Sequence, residues 1–181
     1  MRKKPKLANA QVTKLGGPQA GSVAALAVGP AAGATVFAGT QVGLFRLEDG
    51  QGAEPREWER LANAPLGIFS LAVSPSFAQD HTLVAGTNTG IYVSRDAGET
   101  WLAADMPISG SVAIAISFSP NFAADGILLA GTLEDGIFYS HDRGAHWQSN
   151  GFGLLDATVY CLAFSPSFGR DTTIFACAHF R

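Results

Sequence analysis

One sequence unit recurs about every 45 residues along this chain, and it limits the possible folds more than any other feature. Four prolines that follow short apolar runs mark its register, at spacings of 45, 45 and 46 residues: Pro30, Pro75, Pro120 and Pro166. An Ala-Gly-Thr triplet follows each of the first three prolines, and Ala176-Cys177-Ala178 takes its place after the fourth. Short β-rich units of this period, punctuated by glycine, are typical of a β-propeller in which each unit forms one blade.

Each complete repeat contains the four apolar runs that a four-stranded blade requires. In the second repeat we predict strands at Ile68–Ser74, Thr82–Gly86, Gly90–Ser94 and Trp101–Ala104. Blades are buried on both faces, so their strands are nearly continuous in apolar character rather than strictly alternating. The indole at the start of the fourth strand is expected to seal the blade against its neighbour. No segment offers a helical apolar pattern over about 12 residues free of Gly and Pro, so the fold class is all-β.

The repeats define the expected domain organisation. We predict a basic tail at residues 1–9 and a single propeller domain at residues 10–181. Its repeats cover approximately residues 22–61, 67–105, 111–150 and 158–181, and the last one stops where a third strand is due. Residues 11–15 match the fourth strand of a repeat and are expected to close the ring by joining the last blade. About four repeats form either a four-blade ring that lacks one strand or an incomplete part of a larger propeller, and we favour the incomplete part, whose open blade edges would promote self-association.

Composition and charge exclude several classes of function. The net charge of −3 offers no basic surplus for a phosphate backbone, so nucleic-acid binding is not expected. No apolar run is long enough to cross a bilayer, and the basic start leads into no apolar signal core. We therefore expect no membrane span and, by default, a cytoplasmic protein. Zinc-ligand spacings and phosphate-binding loops are absent, so neither a metal nor another cofactor is predicted.

The most specific local motif is Ser-x-Asp-x-Gly-x-x-Trp, which occurs twice at blade spacing. Its copies are Ser94, Asp96, Gly98 and Trp101, and Ser140, Asp142, Gly144 and Trp147. The short carboxylate of each Asp can accept hydrogen bonds from backbone N–H groups of its own turn, and Gly can adopt the positive φ that closes it. We therefore predict that these residues are structural.

This motif resembles the Asp-box of the bacterial neuraminidase repeat, with His146 standing where that family prefers Thr. The chain also carries Ser-Pro-x-Phe-x-x-Asp links and Ala-Gly-Thr strands. In these features it is similar to Asp-box propellers such as the photosystem II assembly factor-like proteins and the ectodomains of sortilin-type receptors. The resemblance implies a sialidase-like propeller scaffold whose boxes lie between third and fourth strands, away from any catalytic face. It also implies that the partner is another protein.

Aspartates recur in the links between first and second strands, at Asp80, Asp125 and Asp171. Equivalent positions on different blades lie far apart around the rim, so these carboxylates cannot share one ion. We expect each Asp to cap its own turn, and the Phe three residues before it to plug the blade.

Strand order separates two faces of the propeller, because hairpin turns alternate between the two ends of a blade. The Ser-Pro links and the Asp motifs share one face. The other face, called here the variable-loop face, comprises the connections at residues 41–42, 62–67, 88–89, 105–110, 133–135 and 151–157. Apolar side chains rimmed by carboxylates are typical of a protein-binding patch. The candidate partner-binding residues are Met106, Ile108, Glu134, Phe152, Leu154 and Leu155.

Two enzymatic functions are the alternatives to a binding module. A sialidase needs a cluster of arginines for the substrate carboxylate, and the variable-loop connections contain none. A glycoside hydrolase that acts on a neutral glycan needs only two carboxylates as acid and base, so this alternative stays open. Its candidate catalytic residues are Asp105, Glu134, Asp135 and Asp156.

The two cysteines fall on the first and second strands of the fourth repeat. If Ser165 lies opposite Thr173 in that hairpin, Cys161 lies opposite Cys177. We expect two small core residues, because buried free thiols are common. A cross-strand disulfide is the alternative, and it is less favoured because such pairs are strained.

Overall fold

The computed structural model describes residues 16–30, 35–48, 57–150 and 157–178, which form three four-stranded antiparallel sheets and one two-stranded sheet. The first blade comprises β1 (Val23–Val28), β2 (Val36–Thr40), β3 (Gly43–Leu47) and β4 (Glu59–Leu61). The second comprises β5 (Ile68–Val73), β6 (Leu83–Thr87), β7 (Gly90–Ser94) and β8 (Leu102–Ala103). The third comprises β9 (Ala113–Phe118), β10 (Leu128–Thr132), β11 (Ile137–Ser140) and β12 (Gln148–Asn150). The fourth contributes β13 (Val159–Phe164) and β14 (Ile174–Ala178). The predicted all-β propeller of four-stranded blades is confirmed.

The blades follow one another through their inner strands, which lie side by side in the order β1, β5, β9 and β13. Glycine in each second strand allows this close approach. A Cβ added at Gly39 would lie 2.5 Å from Ile68 Cγ2, and one added at Gly131 would lie 2.8 Å from Val159 Cγ1. Since real Cβ atoms do not approach neighbours so closely, the Gly of the Ala-Gly-Thr triplet sets the distance between blades.

The core lies between successive blades rather than within one sheet. Trp101 of the second blade packs against a buried cluster that includes Phe37 and Leu44 of the first blade. Trp147 of the third blade is only 3% exposed and packs in a cluster with Val84 and Ile91 of the second. Each indole thus fills the space behind the preceding blade, and the expectation that it seals neighbouring blades is confirmed.

Three one-turn helices, which the sequence did not predict, form the links between first and second strands. They are α1 (Phe77–Asp80), α2 (Phe122–Asp125) and α3 (Phe168–Asp171). In α2, Asp125 accepts a hydrogen bond from the buried Ser119 hydroxyl at 2.6 Å and another from Ile127 N at 2.9 Å. Phe122 is fully buried against Phe118 with ring centroids 4.6 Å apart. Four residues are too short for helical periodicity to be visible in sequence, although Asp as a turn cap and Phe as a plug are as expected.

The fourth blade corrects one expectation about the cysteines. Cys161 lies directly opposite Cys177 in the β13–β14 register, as the alignment of repeats predicted. Both side chains are exposed, however, so the expectation of two small core residues is wrong. Among the residues that the structure describes, no further strand or blade covers this side of β13 and β14.

Two expectations concern residues outside the described ranges: the basic tail at residues 1–9 and the ring-closing strand at residues 11–15. Within those ranges, none of the helices has the length and apolar character that crossing a membrane would require.

Candidate functional site

The variable-loop face is built on turns that are held by one buried threonine in each of the first three blades. The hydroxyl of Thr40 donates to the carbonyl oxygen of Gly43 at 2.9 Å. Thr87 and Thr132 make the same bond to the carbonyl oxygens of Gly90 and Gly136, also at 2.9 Å. Each hydroxyl also accepts a backbone N–H from within its turn, so these connections are preorganised rather than loose.

Backbone hydrogen bonds join the connections of neighbouring blades on this face. Gly67 N, at the entry to the second blade, donates to Gln41 O of the first blade at 3.0 Å. Gly136 N of the third blade donates to Ala157 O, at the entry to the fourth, at 2.8 Å. The Thr158 hydroxyl donates to Leu133 O at 2.7 Å. On this rim the connections of the first and second blades, and those of the third and fourth, are therefore joined to each other instead of being independent loops.

Large apolar side chains are exposed along this rim. They are Val42 (45% exposed), Leu66 (60%), Ile108 (41%) and Leu133 (39%). The described connections of the opposite face expose none, because the Phe of each Ser-Pro link is half-buried or buried. Exposed apolar side chains in connections thus segregate to one face of the propeller.

The predicted partner-binding residues differ in their environments. Ile108 and Glu134 are exposed at the rim, where they were expected. Met106 is half-buried and packs against the cluster between the second and third blades, so less of its side chain is available to a partner, and its role in binding stays a prediction. Phe152, Leu154 and Leu155 lie outside the described residues.

Sequence reasoning missed Val42, Leu66 and Leu133 as individual candidates, although their connections were assigned to this face. Each is the single large apolar residue of a connection that otherwise contains polar or small residues. That contrast is the sequence signal that could have identified them as candidates. Sequence alone does not show which single apolar residues of a loop turn outward, since that depends on packing against the neighbouring blade.

Asp105 lines a shallow cavity of about 200 Å³ beside Thr89, Tyr92 and Ser109. Its backbone joins two blades, because Asp105 N donates to Ala145 O at 2.8 Å and Asp105 O accepts from Trp147 N at 2.9 Å. Within the described part of the chain, Asp105 is the one acidic residue that lines this cavity.

The other proposed catalytic carboxylates belong elsewhere on the rim. Glu134 is exposed and Asp135 half-buried, both in the β10–β11 connection. Asp156 falls outside the described residues. The cavity beside Asp105 therefore contains no described partner carboxylate for acid and base catalysis.

One arginine does reach the variable-loop face, from a strand rather than from a connection. The guanidinium of Arg60, on β4, donates to Val42 O at 2.8 Å. Among the residues that the structure describes, the hydrogen bonds of Arg95, Arg143 and Arg170 lie at the Ser-Pro links and Ser-x-Asp turns of the opposite face. The face thus shows one arginine in its described part, whereas a sialidase needs a cluster.

The first Ser-x-Asp-x-Gly turn is closed by its own polar groups. Ser94 Oγ donates to Asp96 Oδ1 at 2.7 Å, and Asp96 Oδ1 also accepts from Thr100 N at 2.9 Å. Gly98 has φ +94° and donates its N–H to Ser94 Oγ at 2.8 Å. Desolvation acts to raise the pKa of Asp96, but the hydrogen bonds from Thr100 and Ser94 outweigh it and the pKa is lowered.

The second turn repeats this geometry with a histidine in the threonine's place. Asp142 Oδ1 accepts from His146 N at 3.0 Å, and Asp142 Oδ2 lies 2.5 Å from His146 Nδ1. Desolvation opposes ionisation of Asp142, but the hydrogen bonds from His146 and Ser140 lower its pKa to about 2. Asp142, and to a smaller extent Asp105, raise the pKa of His146. No group of three or more His, Cys, Asp or Glu in the described ranges is arranged to hold a metal ion.

Comparison with known proteins identifies the fold. No family model matches the sequence, and no curated protein matches it. An ancestral GH74 enzyme is similar in structure, with a TM-score of 0.68, 19% identity and coverage of 90% of this chain. The GH74 xyloglucanase from Xanthomonas campestris matches 89% of this chain with a TM-score of 0.66 and 23% identity. The Swd1 β-propeller domain of Myceliophteria thermophila matches 92% with a TM-score of 0.64 and 14% identity.

These similar structures are all β-propellers, and the chain spans only part of each. It covers 22% of the ancestral GH74 enzyme, 28% of the xyloglucanase and 52% of the Swd1 domain chain. They include both enzymes and a propeller domain of another kind, so the similarity establishes the propeller fold and not the function of this chain.

Proposed function

We propose that this chain is a non-catalytic propeller module of the Asp-box class that binds another protein through its variable-loop face. The observation that carries the proposal concerns the connections between strands: the large apolar side chains that are exposed in the described connections, Val42, Leu66, Ile108 and Leu133, all lie on that face. Interfaces combine such apolar groups with a polar rim, which Glu134 and Arg60 would provide here.

The rigidity of the face supports the same proposal. Its turns are held by Thr40, Thr87 and Thr132, and its connections are hydrogen-bonded across blades. A preorganised surface loses little conformational entropy when it binds, so more of its contact energy contributes to affinity. Assignment to the Asp-box class rests on the two Ser-x-Asp-x-Gly turns, whose polar contacts are almost entirely local.

The test replaces three exposed side chains together, as Leu66→Ser, Ile108→Ser and Leu133→Ser. A protein retained by the immobilised wild-type chain is identified, purified and titrated calorimetrically against both chains. We expect affinity to fall at least about tenfold, since apolar interface contacts are lost while each site is already exposed in the folded chain.

Leu102→Ser is the matched control, because Leu102 is 67% exposed but lies on the outer strand β8. It should leave affinity unchanged. An equal loss in the control, or full affinity in the triple variant, would contradict a binding site on the variable-loop face. Light scattering of the wild-type chain alone tests whether the bound protein is a second copy.

The glycoside hydrolase alternative rests on Asp105 and its cavity. Thr89, Tyr92 and Ser109 supply hydroxyl groups that suit a sugar, and one similar structure is a xyloglucanase. Glycosidases, however, place two carboxylates about 5–10 Å apart on either side of the bond that is cleaved. We therefore expect no release of reducing sugar from xyloglucan. Release that disappears in Asp105→Asn but persists in Asp80→Asn would instead establish the enzyme.

A further inference from the structure

We infer that Cys161 and Cys177 form a thiol–disulfide site on the open side of the fourth blade, which a low-molecular-weight disulfide such as glutathione disulfide oxidises to an internal cross-strand bond. The two residues are directly opposite in the β13–β14 register, and both are exposed free thiols. Directly opposite residues of antiparallel strands have Cα atoms about 4.5–5.5 Å apart. That separation lies within the range of natural disulfides, about 4.4–6.8 Å.

The equivalent positions in the other blades show where these side chains point. The corresponding pairs are Ala25 with Gly39, Ser70 with Gly86, and Ala115 with Gly131. Ser70 Oγ donates to Ala113 O of the next blade at 3.0 Å, so this side of the strand pair faces the blade that follows it in the chain. In the fourth blade the same side is the exposed one.

The second blade also shows that the two positions share one space. A Cβ added at Gly86 would overlap Ser70 Oγ. Cys161 has its sulfur one bond beyond Cβ, as Ser70 has its oxygen, and Cys177 carries the Cβ that Gly86 lacks. The two thiols are therefore neighbours on one side of the hairpin, which is the arrangement that a cross-strand bond needs.

The oxidation proceeds by two exchanges in which electrons balance. The thiolate of one cysteine attacks glutathione disulfide, forms a mixed disulfide and releases one glutathione thiolate. The thiolate of the other cysteine then displaces the second glutathione and completes the Cys161–Cys177 bond. Glutathione disulfide is reduced, both cysteines are oxidised, and the two thiol protons end on the two glutathione molecules released.

The site has a structural consequence for whatever packs on this blade. Ile68 and Val159 pack over Gly39 and Gly131, the positions that correspond to Cys177. In the oxidised form the two bonded sulfur atoms would fill the equivalent space on the fourth blade, whereas free thiols can rotate out of it. Oxidation is thus expected to change access to the side of β13 and β14 that corresponds to the packing side of the other blades.

The test uses the reduced chain of residues 1–181 in native buffer with sub-millimolar glutathione at increasing disulfide fraction. After acid quenching and alkylation, intact mass and a tryptic map are recorded. Trypsin separates the cysteines into peptides 144–170 and 171–181, so an internal bond links these two peptides. We expect both thiols to disappear together, and the linked form to exceed the singly glutathionylated form at least about tenfold, because the second step is intramolecular.

Two variants that each keep a single cysteine serve as controls for the internal bond. Cys161→Ser should accumulate a mixed disulfide on Cys177, and Cys177→Gly, which restores the glycine of the other blades, should accumulate one on Cys161. Circular dichroism establishes that both variants fold. Wild-type chain that accumulates stable glutathione adducts, forms only intermolecular disulfides, or reacts only in urea would overturn the inference.

Discussion

Asp142 and His146 show how one side chain changes the chemistry of a repeated turn. In the first copy Thr100 donates to Asp96 from both its N–H and its hydroxyl, and both bonds are independent of pH above the pKa of the carboxylate. In the second copy the imidazole of His146 replaces that hydroxyl and adds a titratable charge. The turn geometry is kept, because the backbone bond from position 146 to Asp142 is the same.

This difference predicts a pH-dependent stability that depends on His146. The folded-state pKa of His146 is raised, so its contribution is full below the unfolded pKa, about 6.5, and is lost as pH rises through the folded pKa. Asp142, with a folded pKa of about 2, is ionised throughout this range. In urea denaturation, the free energy of unfolding should fall more for the wild-type chain than for His146→Thr as the pH rises from 5.5 to 8.5.

The matched control is Thr100→Val in the first turn, which should shift the urea midpoint by a similar amount at both pH values. The charged groups that raise the pKa of His146 are Asp142 and Asp105, so Asp105→Asn should reduce the effect only slightly. Identical pH profiles for wild type and His146→Thr would contradict this account.

At the scale of the element, the second strand of each of the first three blades has a glycine where the next inner strand approaches it closely. β6 and β10 are buried along their whole length, and small residues at their centres allow the next inner strand to approach. The sequence Ala-Gly-Thr therefore combines two tasks: Gly sets the spacing between blades, and Thr holds the following turn on the variable-loop face.

Gly39→Ala tests the spacing between the first two blades. Its new methyl group would meet Ile68 Cγ2 and Cβ, and overpacking of this kind costs about 1–3 kcal/mol of unfolding free energy. Adding Ile68→Ala should make the double variant more stable than the sum of the two single effects implies. Gly169→Ala, where a Cβ meets nothing within 4 Å, is the control and should change stability by less than about 0.5 kcal/mol. Strict additivity at positions 39 and 68 would count against direct packing.

At the scale of the whole molecule, stability resides in the interfaces between blades. The buried clusters combine residues of neighbouring sheets, and an ion-pair group on Arg46 joins Glu59 of the first blade to Glu99 of the second. A linear series of units coupled to nearest neighbours behaves as a sum of unit and interface terms. Loss of one interface is therefore expected to weaken cooperativity as well as stability.

Trp147→Ala tests that expectation at the interface of the second and third blades. Removing a buried indole costs about 3–5 kcal/mol, and the denaturant transition should broaden or divide into two steps. Trp58 is only half-buried, with its indole N–H donating to Gly16 O at 2.7 Å, so Trp58→Ala should cost less. A single sharp transition for Trp147→Ala, shifted no further than for Trp58→Ala, would contradict interface-based stability.

The sequence predicted strands more accurately than surfaces. Gly90–Ser94 is the third strand of its blade as predicted, and Cys161 pairs with Cys177 as the alignment of repeats required. Both follow from chain order and period, which are local properties. The one-turn helices, the burial of Met106 and the reach of Arg60 to Val42 were not predicted, because each depends on a neighbouring blade or on a turn too short for periodicity.

The sequence by itself determined the repeat, the four-strand order within a blade and the sorting of connections onto two faces, since glycine spacing and apolar runs act through adjacent residues. Only the tertiary structure decided which side chains on those connections are exposed. Leu66 and Ile108 turn outward while Met106 packs inward, and Cys177 is open where Gly39 and Gly131 are covered. Whether a side chain is exposed depends on whether the neighbouring blade packs against it, and such packing joins residues that are far apart in the chain.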